Sequence, residues 1–314
     1  MQIQPCGPLR GEITVPGDKS ISHRAVMLGA LANGTTHITG FLMGEDCLST
    51  IDCFRKMGVE INITDDEVIV EGVGLHGLEA PSEALYTGHS STTTRLLCGI
   101  LAGQPFTVTM SGDPSIQKRP MGRVMKPLRE MGASIEGKND NFCPLTLFPS
   151  ELHGIEYRLP VASAQLKSAI LLAGLYAEGQ TTVIEPAPSR DHTERMFRAL
   201  GVEIETNGST ITLDPPEDLH AVDIAVPGDI SSAAFFLVAG AIVPGSELTI
   251  KNVGVNPTRT GVLDVLRDMG VDITESNFRD EAEPMCDLTV KYSKLHGVEI
   301  GGAIIPRLID ELPV

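Results

Sequence analysis

One pattern of apolar and polar positions recurs four times: Phe54-Arg-Lys-Met-Gly58-Val-Glu-Ile61, Leu128-Arg-Glu-Met-Gly132-Ala-Ser-Ile135, Phe197-Arg-Ala-Leu-Gly201-Val-Glu-Ile204 and Leu266-Arg-Asp-Met-Gly270-Val-Asp-Ile273. Each reads as an amphipathic helix that stops at Gly, which can take the left-handed C-cap conformation, followed by a strand of alternating apolar residues. A second phrase, Gly and then a Thr-rich strand, recurs as Gly34-Thr-Thr-His-Ile38, Gly103-Gln-Pro-Phe-Thr-Val108, Gly179-Gln-Thr-Thr-Val-Ile184 and Gly245-Ser-Glu-Leu-Thr-Ile250, each time after a helix of small residues. The unit is about 70 residues of mixed strand and helix, long enough to bury its helix against its own sheet. A third match, Val15-Pro-Gly-Asp-Lys-Ser20 with Val226-Pro-Gly-Asp-Ile-Ser231, comes three units apart.

The pattern predicts an α/β (α+β) chain of two domains. Residues 15–225 form the first, of three units; 226–314 form a second that is incomplete, because too few residues remain for three more. Residues 1–14 are expected to add a strand to the second domain. The ending Ile309-Asp-Glu-Leu-Pro-Val314 has neither a helix stop nor a polar tail, which predicts a missing C-terminal portion.

Charge narrows the function. The chain has 24 Lys and Arg against 41 Asp and Glu, a formal net charge of -17. Such a body repels nucleic acid and anionic membrane, so an anionic ligand must meet locally gathered cations. The six cysteines include no C-x-x-C pair and no Cys/His cluster with metal spacing, so they read as reduced thiols, with no metal expected. The N-terminus lacks a leader pattern, and the longest apolar run, Ala233 to Val243, is too short to span a bilayer. A cytoplasmic protein is expected.

Cations and hydroxyls do gather locally. Lys19, Ser20, Ser22, His23 and Arg24 precede an apolar helix expected from near Ala25; in the copy, Ile230 and Ala233 replace Lys19 and Ser22 on the same Pro-Gly-Asp scaffold. Hydroxyls, cations and a helix start make an anion site. Gly88-His-Ser-Ser-Thr-Thr-Thr-Arg95 leads into a helix read as Leu96 to Leu101, and the loop Ser111 to Met121 holds Lys118 and Arg119. Pro160-Val-Ala-Ser-Ala-Gln-Leu-Lys167 opens a very apolar helix read as Ser168 to Ala177. A buried helix should not begin with Gln and Lys unless they meet something polar. In Ser189-Arg190-Asp191-His192-Thr193, capping explains Ser189 and Asp191, while Arg190 opposes the macrodipole and points to an anionic partner.

Together and in this order, these segments resemble the bacterial type of 5-enolpyruvylshikimate-3-phosphate synthases (3-phosphoshikimate 1-carboxyvinyltransferases), over essentially all 314 residues. The matching phrases are P-G-D-K-S-x-S-x-R, G-x-S-x-T-T-x-R-L, the R-P-M loop, A-S-A-Q-x-K-S-A-I-L-L-A-G-L and S-R-D-H-T-E. The resemblance implies the enolpyruvyl transferase fold, two domains of three repeated units each, and transfer of the enolpyruvyl group of phosphoenolpyruvate to the 5-hydroxyl of shikimate 3-phosphate. It implies that Lys19, Ser20, Arg24, Ser163, Ala164, Gln165 and Arg190 meet shikimate 3-phosphate, and that Lys19, Ser91, Arg119 and Gln165 meet phosphoenolpyruvate. Asp310 matches the family's proton acceptor, with Lys19 between the substrates. No cofactor, nucleic acid or membrane partner is implied, and a monomer is expected.

Two residues depart from the family pattern G-N-S-G-T-T: His89 stands for Asn and Ser91 for the second Gly. The later second-domain segments are absent, so the expectation is that the chain alone is inactive or nearly so. The alternatives are a truncated, non-catalytic fragment that binds shikimate 3-phosphate, and UDP-N-acetylglucosamine enolpyruvyl transferase. The latter carries a reactive Cys in the loop corresponding to Ser111 to Met121, where this chain has none; Cys98 lies inside an apolar helix and reads as core.

Overall fold

A computed structural model describes residues 7–65 and 67–314. The chain divides into a larger unit, Lys19–Ile224, and a smaller one made of the described residues up to Asp18 with Ala225–Val314. Each is built from the repeat.

The elements begin with β1 (Arg10–Ile13), then α1 (Lys19–Leu31), β2 (Asn33–Thr39), α2 (Glu45–Lys56), β3 (Glu60–Ile63) and β4 (Glu67–Val73). The second repeat is β5 (Leu85–Tyr86), α3 (Ser91–Ala102), β6 (Val108–Ser111), α4 (Gly122–Glu130), β7 (Ser134–Lys138) and β8 (Phe142–Phe148). The third is β9 (Glu156–Arg158), α5 (Ala164–Gly174), β10 (Thr181–Ile184), α6 (His192–Ala199), β11 (Ile204–Asn207) and β12 (Thr210–Leu213). After β13 (Ile224–Ala225) come α7 (Ile230–Ile242), β14 (Glu247–Gly254), α8 (Gly261–Asp268), β15 (Asp272–Asp280) and β16 (Pro284–Lys291).

Each repeat makes one four-stranded sheet, in the orders β13-β2-β4-β3, β5-β6-β8-β7, β9-β10-β12-β11 and β1-β14-β16-β15. In the middle two the edge strand is local, and β5 and β9 run parallel to β6 and β10. In the outer two it comes from far along the chain: β1 runs parallel to β14, and β13 lies beside β2. Of the strand expected over 1–14, residues 1–6 lie outside the described residues and Arg10–Ile13 form β1.

All four signature glycines take the left-handed backbone, with φ of 89° at Gly58, 102° at Gly132, 90° at Gly201 and 93° at Gly270. The repeated Arg also has a structural task. Arg55 donates to the Ile61 carbonyl oxygen (Nη2 at 2.6 Å), Arg129 to that of Ile135 (Nη2 at 2.6 Å) and Arg198 to that of Ile204 (Nε at 3.2 Å). Each pins the strand to the helix before it. Arg267 instead reaches the Glu275 carboxylate at 2.5 Å.

In the larger unit α1, α3 and α5 form the core and α2, α4 and α6 cover it, whereas α7 of the smaller unit leaves Phe235 and Phe236 exposed. From Ile21 to Leu31 every residue of α1 is buried, as an all-round small or apolar helix requires. Helices α3 and α5 touch so closely that a Cβ on Gly99 would sit 2.2 Å from the Ala169 carbonyl oxygen. In the smaller unit, Gly17 and Gly228 of the two Val-Pro-Gly-Asp phrases pair antiparallel: Asp18 N–H donates to Pro227 O at 2.8 Å and Asp229 N–H to Pro16 O at 2.9 Å. Their Asp side chains flank one buried cation, Arg259, at 3.7 and 3.2 Å. The repeated phrase is thus one half of a two-stranded joint.

Asp287 organises the bulge between β14 and β16. Its carboxylate accepts from the Asn252 N–H (2.8 Å) and Asn277 Nδ2 (2.8 Å) and pairs with Lys251 (2.7 Å). Burial pushes this carboxyl up, but the three partners outweigh it and hold it below its ordinary value. We expect Asp287→Ala to cost about 2 kcal/mol near neutral pH. A depressed carboxyl stabilises above its unfolded value, roughly 3.9, and loses that contribution as pH falls through the folded one. Urea midpoints of both forms at pH 7 and near pH 3 check this: the gap should close in acid, and a gap of constant size would rule the assignment out.

Candidate functional site

The helix starts of the larger unit carry most of the predicted site residues. Helix α1 begins at Lys19, not near Ala25, because its polar residues have tertiary partners that let them enter the core. Ser22 Oγ accepts from the Leu42 N–H at 3.0 Å, and His23 Nδ1 lies 2.7 Å from Thr50 Oγ1. Arg24, 4% exposed, bridges three elements. Its Nε donates to Thr193 Oγ1 of α6 (2.7 Å), Nη2 to Ser168 Oγ of α5 (2.7 Å) and Nη1 to the Ser20 carbonyl oxygen (2.9 Å). Ser168 and Thr193 are themselves 2.7 Å apart. The guanidinium is therefore fixed in plane and direction.

Helix α5 starts at Ala164, four residues before the expected start, and ends at Gly174. Ser163 is its N-cap, accepting from the Leu166 N–H at 3.4 Å. Gln165 is held at both ends of its amide: Oε1 accepts from Arg95 Nη1 (2.5 Å) and Nε2 donates to Thr92 Oγ1 (3.0 Å). Arg190 sits two residues before α6. The capping expected of Ser189 and Asp191 is not what their side chains do. Asp191 holds the N-cap position but turns to Arg195 Nε (3.0 Å), while Ser189 Oγ donates to Glu185.

Helix α3 begins at Ser91, earlier than the Leu96 expected, because Ser90 caps it by accepting from the Thr93 N–H at 3.1 Å. The five hydroxyls here divide. Ser90, Thr93 and Thr94 are buried and bond one another, Thr50 and Thr87, so they are architecture. Ser91 and Thr92 alone of the five are partly exposed at the helix start.

Cations surround this corner. Arg119 follows a short 3-10 turn, Ile116–Lys118, and is exposed. Arg95 is pulled below its ordinary value by burial and then by Arg119 and Arg123. Arg95, Arg123, Pro120, Val124, Ser163 and Leu166 line a pocket of about 190 Å³. Neighbouring guanidiniums in a strongly acidic protein are the local positive field that charge balance demanded. Arg123 was not legible as part of it, since a lone Arg in a helix carries no motif.

Lys19, 53% exposed, pairs with Asp46 at 3.0 Å, and His89 Nε2 lies 2.8 Å from the other oxygen of the same carboxylate. Asp310 lies in the smaller unit, in the turn after a 3-10 helix, Gly302–Arg307, and is exposed. The structure thus joins Arg24 and the Ser20 backbone to the starts of α5 and α6, and Gln165 to the first turn of α3. It places Asp310 in a different unit from the other predicted residues.

Cys47, Cys53, Cys98, Cys143 and Cys286 are free and buried; Cys6 lies outside the described residues. Burial pushes the Cys98 thiol far up, which removes it as a nucleophile. Among the described residues no His/Cys/Asp/Glu group could hold a metal ion, and no helix is long and apolar enough to cross a membrane.

A two-unit α/β chain of repeated modules, with cations, hydroxyls and helix starts gathered in the larger unit, has the two-domain enolpyruvyl transferase fold. The sequence family described as EPSP synthase (3-phosphoshikimate 1-carboxyvinyltransferase) matches residues 3–314, and the chain belongs to it. Curated proteins named 3-phosphoshikimate 1-carboxyvinyltransferase are similar. That of Geobacillus thermodenitrificans is 62% identical over 308 residues, covering 98% of this chain and 71% of the relative. That of Bacillus cytotoxicus is 58% identical, covering 98% and 73%. The solved structure of EPSP synthase from Acinetobacter baumannii superposes with a TM-score of 0.94 at 51% identity, covering 98% of this chain and 71% of that one. These comparisons follow this chain nearly from end to end, and the chain spans about seven tenths of the relatives' own length.

Proposed function

We propose that this chain transfers the enolpyruvyl group of phosphoenolpyruvate to the 5-hydroxyl of shikimate 3-phosphate, releasing phosphate. The observation that carries this is the match to named transferases together with the Arg24 fork held between α5 and α6. Arg24, Ser20, Ser163, Ala164, Gln165 and Arg190 hold the phosphorylated ring. Lys19, Ser91, Arg119 and Gln165 hold phosphoenolpyruvate, with Lys19 at both. The substrates are small and anionic, the working form is a monomer, and the place of work is the cytoplasm.

These residue types suit the chemistry. An unactivated hydroxyl attacks C2 of an enol phosphate while C3 gains a proton and positive charge develops at C2. Asp310 accepts the hydroxyl proton, giving a tetrahedral intermediate. Loss of the C3 proton with departure of phosphate then restores the double bond. The cations around Gln165 offset repulsion between the two anionic substrates, and an amide held at both ends keeps its orientation as charge moves.

Against the expectation of an inactive chain, purified chain mixed with both substrates should release phosphate, and calorimetry should show shikimate 3-phosphate binding. Binding with no phosphate release would favour the reading of a non-catalytic binding fragment. Ser91 stands where the family pattern has Gly, and a side chain at a helix start keeps a bound phosphate at a greater distance. Ser91→Gly should therefore lower the KM for phosphoenolpyruvate and increase inhibition by glyphosate, which takes the same pocket in the family. Identical KM values for the two forms would remove Ser91 from that pocket.

A further inference from the structure

Lys167 is 1% exposed, among the largest fully buried side chains in the molecule, in the second turn of the helix that carries Ser163, Ala164 and Gln165. Its ammonium lies 3.0 Å from Glu185 Oε2 and 2.6 Å from Glu194 Oε1. Both acids are also buried, at 5% and 2%. Glu194 is in the first turn of α6, and Glu185 follows β10. The other oxygen of Glu185 accepts from the Ser189 hydroxyl, one residue before Arg190. The next residue along α5, Ser168, meets Thr193, the residue before Glu194, and both of these hold Arg24.

Desolvating three ionisable groups is costly, and apolar residues of similar volume would commonly be as stable or more so. Ion pairing also requires a defined direction and separation that apolar packing does not impose. Here that direction ties α5, the 185–190 segment and α6 together directly beneath the Arg24 fork. Burial pushes the Glu194 carboxyl up, against the pull of Lys167.

We infer that Lys167, Glu185 and Glu194 form a buried positioning cluster that fixes the starts of α5 and α6, and with them Arg24, Gln165 and Arg190, in the arrangement that holds a phosphorylated ring acid. This rests on the proposed function and adds residues to it that do not themselves touch substrate. The pairing polar group that Lys167 needed at a buried helix start is this pair of carboxylates.

The test separates positioning from simple stability. The neutral variant Lys167→Met/Glu185→Gln/Glu194→Gln leaves no buried charge unpaired and should fold. It is expected to bind shikimate 3-phosphate about tenfold more weakly, as loss of an orienting outer contact typically does. Asp287→Ala, which weakens the smaller unit, should keep wild-type affinity. Glu185→Ala, a milder change that retains the Lys167–Glu194 pair, should lower affinity in the same direction. Wild-type affinity in the neutral variant, or in Glu185→Ala if the triple variant does not fold, overturns the inference. So does loss of affinity that merely follows melting temperature across all variants, Asp287→Ala included. Failure of the wild type itself to bind shikimate 3-phosphate would overturn the proposed function instead.

Discussion

Arg24→Lys is expected to weaken shikimate 3-phosphate binding by about a hundredfold, although the charge is conserved. The guanidinium reaches Thr193, Ser168 and the Ser20 carbonyl at once, from three nitrogens in one plane. An ammonium is a compact point charge that cannot span these acceptors and still present a donor to a phosphate. Losing two charge-assisted hydrogen bonds at about 1.5 kcal/mol each corresponds to roughly that factor. Calorimetry on wild type and variant, with melting curves to verify folding, measures it. An affinity indistinguishable from wild type would remove Arg24 from the site and leave it a structural tie between α1, α5 and α6.

Gly99→Ala should disable the protein from its core outward. The added Cβ would meet the Ala169 carbonyl oxygen at 2.2 Å and the Leu172 Cβ at 3.1 Å, so backbone must move. Overpacking of this kind costs typically 1–3 kcal/mol, and a backbone obstacle places it near about 3 kcal/mol. The site should suffer too. Separating α3 from α5 stretches the Arg95–Gln165 and Gln165–Thr92 bonds, 2.5 and 3.0 Å, between the N-terminal ends of those helices. We expect a lower urea midpoint and a raised KM for phosphoenolpyruvate. A variant as stable as wild type would mean that α3 and α5 do not pack at this distance.

How far the site could be read in advance differed by residue. Gln165 and Lys167 stood out because polar residues at the head of a buried helix require partners, and the partners exist: Arg95 and Thr92 for one, Glu185 and Glu194 for the other. The run from Ser90 to Thr94 misled, since five hydroxyls look alike in one dimension. Three of them face inward to Thr50 and Thr87, strands and helices away, and only burial separates them from Ser91 and Thr92. Helix starts were placed late at Lys19, Ser91 and Ala164 for a related reason. Polar first turns look like loop until distant acceptors satisfy them.

The repeat itself was determined by sequence alone: the Gly at each helix end, the Arg before it and the alternating strand after it are local, with partners within about ten residues. That β13 closes the sheet of β2 was decided only by the tertiary structure, because the two lie far apart along the chain and no local period encodes such a choice. The same holds for the two Pro-Gly-Asp phrases, visible as copies but not as partners, and for Arg24, whose three acceptors come from three helices. Short-range sterics and hydrogen bonding write themselves into neighbouring residues, whereas the burial of a charge depends on what the rest of the chain brings to it.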